Sequence, residues 1–127
     1  MTSKQYNILL DNEIIGTTDL EKADPPMGFV GGQIKFIKIS SGYDFFKKYC
    51  WKNKIKINDK PKDRFITTLD IPNLKVIDQN GNEIKGQGAN VEGFDADVFE
   101  VYIFGITYPF YEEEFPHHVK AYDEMYK

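Results

Sequence analysis

Val98 to Ile106 reads Val-Phe-Glu-Val-Tyr-Ile-Phe-Gly-Ile, apolar on both faces of an extended chain with Glu100 as its single charge. A strand with one wetted face alternates apolar and polar residues, and a run that fails to alternate belongs in the middle of a sheet. The rest of the chain must supply its neighbours. At 127 residues, with 41% hydrophobic and 15% aromatic side chains, it is long enough for one real core and too short for two ordinary ones. Ten Gly, six Pro and one Cys exclude the collagen-like, disordered and disulfide-scaffold classes.

Flanking segments carry strand and turn signals. Tyr6, Ile8 and Leu10 alternate, and Asp11-Asn12-Glu13 turns the chain into a second short strand, Ile14 to Thr17. Phe29 to Ile39 is β-branched but shifts its apolar phase between Phe36 and Ile37, which predicts an irregular strand. Phe65 to Leu69 is β-prone. Leu74 to Asp78 and Glu83 to Gly86 flank Asn80-Gly81, the strongest short hairpin signal. Asn58 to Asp63 reads as a loop.

Gly42 to Asn53 is the helix candidate. Ser41 can cap it, and Tyr43, Phe46, Tyr49 and Cys50 form one stripe at three- and four-residue spacing. Pro116 to Lys127 suits a short C-terminal helix with Val119, Tyr122 and Met125 or Tyr126 inward. The expectation is one α+β domain over residues 1–127: a mostly antiparallel sheet of six or seven strands, one central helix and a short C-terminal helix.

Charge is distributed unevenly. The net charge is -4, but residues 1–64 hold 12 basic and 8 acidic side chains and residues 65–127 hold 4 and 12. From Gly86 to His118 there is no Lys or Arg, against Glu92, Asp95, Asp97, Glu100, Glu112, Glu113 and Glu114. Two readings stand: the regions neutralise each other or are simply solvated, or the acids form a face that steers and selects a basic partner. Aromatics among carboxylates are hot-spot chemistry. The candidate contact residues are therefore Glu92, Asp95, Asp97, Tyr108, Phe110, Tyr111, Glu112, Glu113 and Glu114.

Catalytic and cofactor motifs are missing. There is no nucleophile elbow, Walker A loop or H-E-x-x-H pair. Gly28 to Gly32 and Gly86 to Gly88 read as turn glycines, and Asp78 to Glu83 as a turn rather than a calcium loop. Cys50, between Tyr49 and Trp51 on a helix, suits a buried apolar role better than a nucleophile's. No catalytic residue, metal site or cofactor is assigned. The alternative is a small enzyme or ligand- or metal-binding domain using Asp95, Asp97, His117 and His118, although adjacent histidines on a helix point about 100° apart. Lysines interleave with aromatics in Tyr43 to Lys56, yet the helix stripe points inward and the chain is acidic overall, so no nucleic-acid partner is expected.

Ile8-Leu9-Leu10 is interrupted by Asp11-Asn12-Glu13, which leaves no signal-peptide core. No run approaches the roughly 20 apolar residues of a membrane-crossing helix. A single cysteine suits a reducing interior, so the expected setting is cytoplasmic with no membrane partner.

Leu10, Ile15-Gly16, Leu20-Glu21 and the block Asp24-Pro25-Pro26-Met27-Gly28 resemble a family of small bacterial proteins without assigned biochemistry. The likeness covers residues 6–32. It implies a bacterial origin and a compact accessory protein rather than a catalyst, with Met27 either in the core or on a contact surface. By size and acidity the chain also resembles immunity proteins that block basic toxins. Together these readings make the expected function non-enzymatic binding of a basic protein through an acidic face.

Overall fold

The computed structural model describes residues 4–95 and 98–126. Its class is α+β, as the sequence predicts, but the strands divide into two antiparallel sheets rather than one. The smaller sheet holds β1 (Tyr6–Leu10), β2 (Glu13–Thr18), β5 (Lys35–Phe36) and β8 (Leu74–Ile77), in the order β5-β2-β1-β8. The larger contains β3 (Lys22–Asp24), β4 (Phe29–Gln33), β6 (Ile57–Lys60), β7 (Phe65–Thr68), β9 (Gly88–Phe94) and β10 (Val98–Phe104), in the order β3-β4-β10-β9-β7-β6. The apolar run thus takes the interior position expected of it, with β4 on one side and β9 on the other.

The phase shift in Phe29 to Ile39 marks the point where the chain changes sheets. β4 pairs with β10, β5 pairs with β2, and Ile34 between them donates its amide to Phe99 O at 2.8 Å. Three strands and one helix escaped the sequence patterns: β3, β9, the edge strand β6 in place of a loop, and the short helix α2 (Phe110–Glu114). The Asn-Gly turn forms, with Gly81 at φ 87°, but only one bridge, Ile77 to Glu83, follows. The Asp78 carboxylate accepts the Asn80 and Asn82 amides at 2.9 Å each, holding the turn through a side chain instead of a long ladder.

Helix α1 (Gly42–Lys52) starts where its cap predicts, the Asp44 amide donating to Ser41 Oγ at 3.1 Å. Tyr43, Phe46 and Cys50 are buried. The Phe46 ring meets Phe36, Phe45 and Phe99 at centroid distances of 6.3, 5.1 and 6.0 Å. Tyr6, Ile8 and Val76 of the small sheet and Val30, Ile66, Val91, Val101 and Ile103 of the large one complete the core. Helix α3 (Pro116–Met125) lies near β3, with Val119 and Tyr122 half-buried. Met125 and Tyr126 are 69% and 70% exposed, so neither points inward as expected.

The small sheet and α1 both pack on one face of the large sheet. Strand parity assigns that inner face to Phe99, Val101 and Ile103 of β10 and Ala89, Val91 and Gly93 of β9, all buried. The Tyr43 hydroxyl donating to Asp59 of β6 at 2.5 Å confirms that α1 lies on the same side. No helix among the described residues is long and apolar enough to cross a membrane.

Candidate interaction surface

The other face of the large sheet is where pattern and packing part company. β10 is apolar on both sides, yet its outer residues Val98 and Phe104 are 50% and 38% exposed, and Phe94 of β9 is 44% exposed. None of the described helices covers the centre of this face. Its aromatics form plates: Phe29 stacks on Tyr102 with centroids 5.5 Å apart, and Phe65 lies 4.6 Å from Phe94. Gly31 makes the first plate possible, because a Cβ there would stand 2.5 Å from the Tyr102 ring. The ring lies flat across the glycine.

Glu92 and Glu100 sit between the plates. They are direct cross-strand partners on β9 and β10. Like charges so placed repel, which a sheet selected for stability alone avoids. Glu100 is held by the Lys22 ammonium from β3 and by the Tyr102 hydroxyl. Burial pushes its carboxyl up, but those two partners outweigh it and hold the pKa below the usual value. The Tyr102 hydroxyl is pushed well above the ordinary tyrosine range by burial and by Glu100. Glu92 has weaker support, a Thr67 hydroxyl at 3.3 Å and the Tyr102 hydroxyl at 3.5 Å, and no ion pair among the described residues.

The remaining sequence candidates divide. Tyr108 is 49% exposed, its hydroxyl donates to Pro25 O at 3.1 Å, and its ring stacks on Tyr111 at 5.4 Å. Burial, Glu112 and Asp123 together raise its pKa. Glu112 and Glu113 are exposed and make no ion pair among the described residues. The α2 end joins the sheet face through Tyr111, whose hydroxyl donates to Phe29 O at 2.8 Å. Met27 of the Asp24–Gly28 block is 70% exposed, which removes the core alternative for it.

The other candidates are engaged within the fold. Tyr111 is fully buried and the half-buried Phe110 packs against the core, so both rings anchor α2. Glu114 accepts from Lys4 Nζ at 2.6 Å and from the Tyr6 hydroxyl at 2.7 Å. Asp95 accepts the Tyr43 amide at 3.1 Å, the Ser41 hydroxyl at 2.5 Å and Arg64 Nε at 3.0 Å. It closes the N-terminus of α1. Burial raises its pKa, but Ser41, Arg64 and the Tyr43 amide outweigh that and keep it low. The late-chain acids are thus partly compensated, by Lys4, Lys22 and Arg64. Asp97 lies outside the described residues.

Asp95 and the histidines do not converge. Asp95 belongs to α1 and β7's Arg64 flank, whereas His118 Nε2 lies 2.8 Å from Leu20 O, just before β3 on the opposite edge of the sheet. The His117 and His118 rings approach to 4.1 Å, and burial together with His118 lowers the His117 pKa. Among the described residues no group of three His, Cys, Asp or Glu side chains is arranged to hold a metal. Cys50 is buried, and burial pushes its thiol up to about 11, an unreactive value.

The chain matches no protein-family profile, no curated protein and no solved structure.

Proposed function

We propose that the chain is a non-enzymatic protein-binding module, of the immunity-inhibitor type, which takes a basic partner on the outer face of its larger sheet. Glu92 and Glu100 lie at the centre, with the Phe29–Tyr102 and Phe65–Phe94 plates on either side; Tyr108, Glu112 and Glu113 on and before α2 are exposed and supply a further acidic, aromatic contact. One observation carries the reading: two glutamates directly opposed on an aromatic-rich sheet face whose centre no described helix covers, Glu92 half-buried and Glu100 enclosed by Lys22 and Tyr102 with its side chain 13% exposed. Both features cost a free domain stability, through repulsion and exposed apolar surface, and both are relieved when a cationic apolar partner docks. Aromatic faces also attract Lys and Arg side chains directly. A cytoplasmic setting fits the lone, buried Cys50.

The test is differential capture. Immobilised wild type and the variants Glu92→Lys and Glu112→Lys/Glu113→Lys are exposed to the same cell extract. Glu114 is left intact because it holds Lys4 and Tyr6. A basic protein retained by the wild type and lost from folded Glu92→Lys supports the reading. Equal retention by Glu92→Lys removes the sheet face from it.

A further inference from the structure

Helix α1 turns its one tryptophan away from the core. Trp51 is 82% exposed, while Tyr43, Phe46 and Cys50 on the adjacent inward stripe are buried. Exposed Trp is uncommon, because its large ring gains by burial, and Trp is the residue most typical of binding hot spots. Cations surround it in sequence: Lys48, Lys52, Lys54, Lys56, Lys60 and Lys62 are all exposed. None of the six has a carboxylate within 4.0 Å among the described residues. The segment's other two cations are held by carboxylates, Lys47 by Asp59 at 3.0 Å and Arg64 by Asp44 at 3.0 Å and by Asp95. Lys60, the one lysine within β6, lies over the Phe65 ring at 6.0 Å.

Directly after this helix comes β6, an edge of the larger sheet with β7 as its only strand partner. One side of its backbone ladder is therefore unpaired by any described strand. Lysines on an edge keep identical edges of two copies apart by repulsion. The same lysines attract a strand of opposite charge.

We propose that β6 and Trp51 form a docking site for an extended acidic polypeptide segment, which adds as a further strand beside β6. The ladder supplies main-chain hydrogen bonds, the lysines meet the segment's carboxylates, and an apolar side chain of the segment covers the indole. Three features select this occupant. A free strand edge is completed by a polypeptide backbone, not by a nucleic acid or a lipid. A single outward aromatic gives one stacking platform where a tracked nucleic acid uses several. One indole among six lysines also buries too little apolar surface to anchor in a bilayer. This site is opposite in sign to the sheet face proposed above, and either stands without the other.

Trp51 is the chain's only tryptophan, so its emission reports the site directly. The probes are a short peptide of alternating Glu and Val, an oligo-dT strand, and phosphatidylserine vesicles, each titrated at low salt. The peptide is expected to shift the emission to the blue saturably and to protect, among residues 57–60, the amides that face away from β7 from hydrogen exchange. The folded variant Lys54→Gln/Lys56→Gln/Lys60→Gln should bind it about tenfold more weakly. No blue shift or no protection with the peptide overturns the proposal, as does a triple variant that binds like the wild type. A tighter response to oligo-dT or to vesicles than to the peptide overturns the choice of occupant.

Discussion

Replacing Glu92 with Gln isolates the cost of the opposed pair. Glu92 faces Glu100 across β9 and β10, and the Lys22 ammonium is already committed to Glu100. Two like charges about 6 Å apart, a separation typical of side chains directly opposed across strands, repel by about 0.7–1.4 kcal/mol at an effective dielectric between about 40 and 80. The Lys22 ammonium, which attracts Glu92 as well as Glu100, offsets part of that. Salt reduces this to about half, since the Debye length is about 8 Å at physiological ionic strength. Gln keeps the shape and can still accept from Thr67 and Tyr102, whose contacts with Glu92 are long at 3.3 and 3.5 Å. The net expectation is a gain of about 0.5 kcal/mol, inside the range measured for cross-strand pairs. In a domain of this size that raises Tm by about 2 °C. Thermal unfolding followed by circular dichroism reads it, and the gain should shrink as salt is added. The same variant should lose affinity for a basic partner, the combination expected where stability is given up for binding. A loss of 1 kcal/mol or more would refute the reasoning, because Glu92 would then be a structural hydrogen-bonding residue.

Four further outcomes follow from the geometry. Phe46→Ala removes a fully buried ring that touches Phe36, Phe45 and Phe99, and should cost about 3–5 kcal/mol in urea unfolding. Gly31→Ala would put a methyl 2.5 Å from the Tyr102 ring, and should displace that ring and weaken its near-ultraviolet circular dichroism signal. Asp59, Asp78, Asp95 and Glu100 all have lowered pKa values in the fold, so their stabilisation is complete above the ordinary carboxylate range and is lost as pH falls through the lowered values; urea midpoints should drop across that acidic window. Cys50 should resist a thiol reagent at neutral pH until the protein unfolds, since its thiol is buried and shifted up to about 11.

Local signals carried their elements well. Ser41 and the stripe Tyr43, Phe46, Cys50 locate α1 because capping and helical period are properties of neighbouring residues. β10 is equally legible from its unbroken apolar run. β9 is not, although its inner residues alternate, because Gly88, Asn90 and Gly93 have poor strand propensity and hide the period. The division into two sheets depends on which distant strands pair, and no local pattern encodes that. Charge compensation was hidden for the same reason: Lys4 reaches Glu114 across 110 positions, Lys22 reaches Glu100 across 78 and Arg64 reaches Asp95 across 31. The composition of the candidate face was visible in the sequence, including Glu92, but its centre became apparent only once the β9–β10 register set Glu92 against Glu100.

The uncovered face of the larger sheet is tested most directly by nuclear magnetic resonance mapping with a peptide rich in Lys and Arg. The account predicts saturable shifts centred on Glu92, Glu100 and Tyr102, reaching Phe29 and Phe94, and abolished in Glu92→Lys. Shifts that leave β9 and β10 untouched, or that persist undiminished in Glu92→Lys, would contradict it.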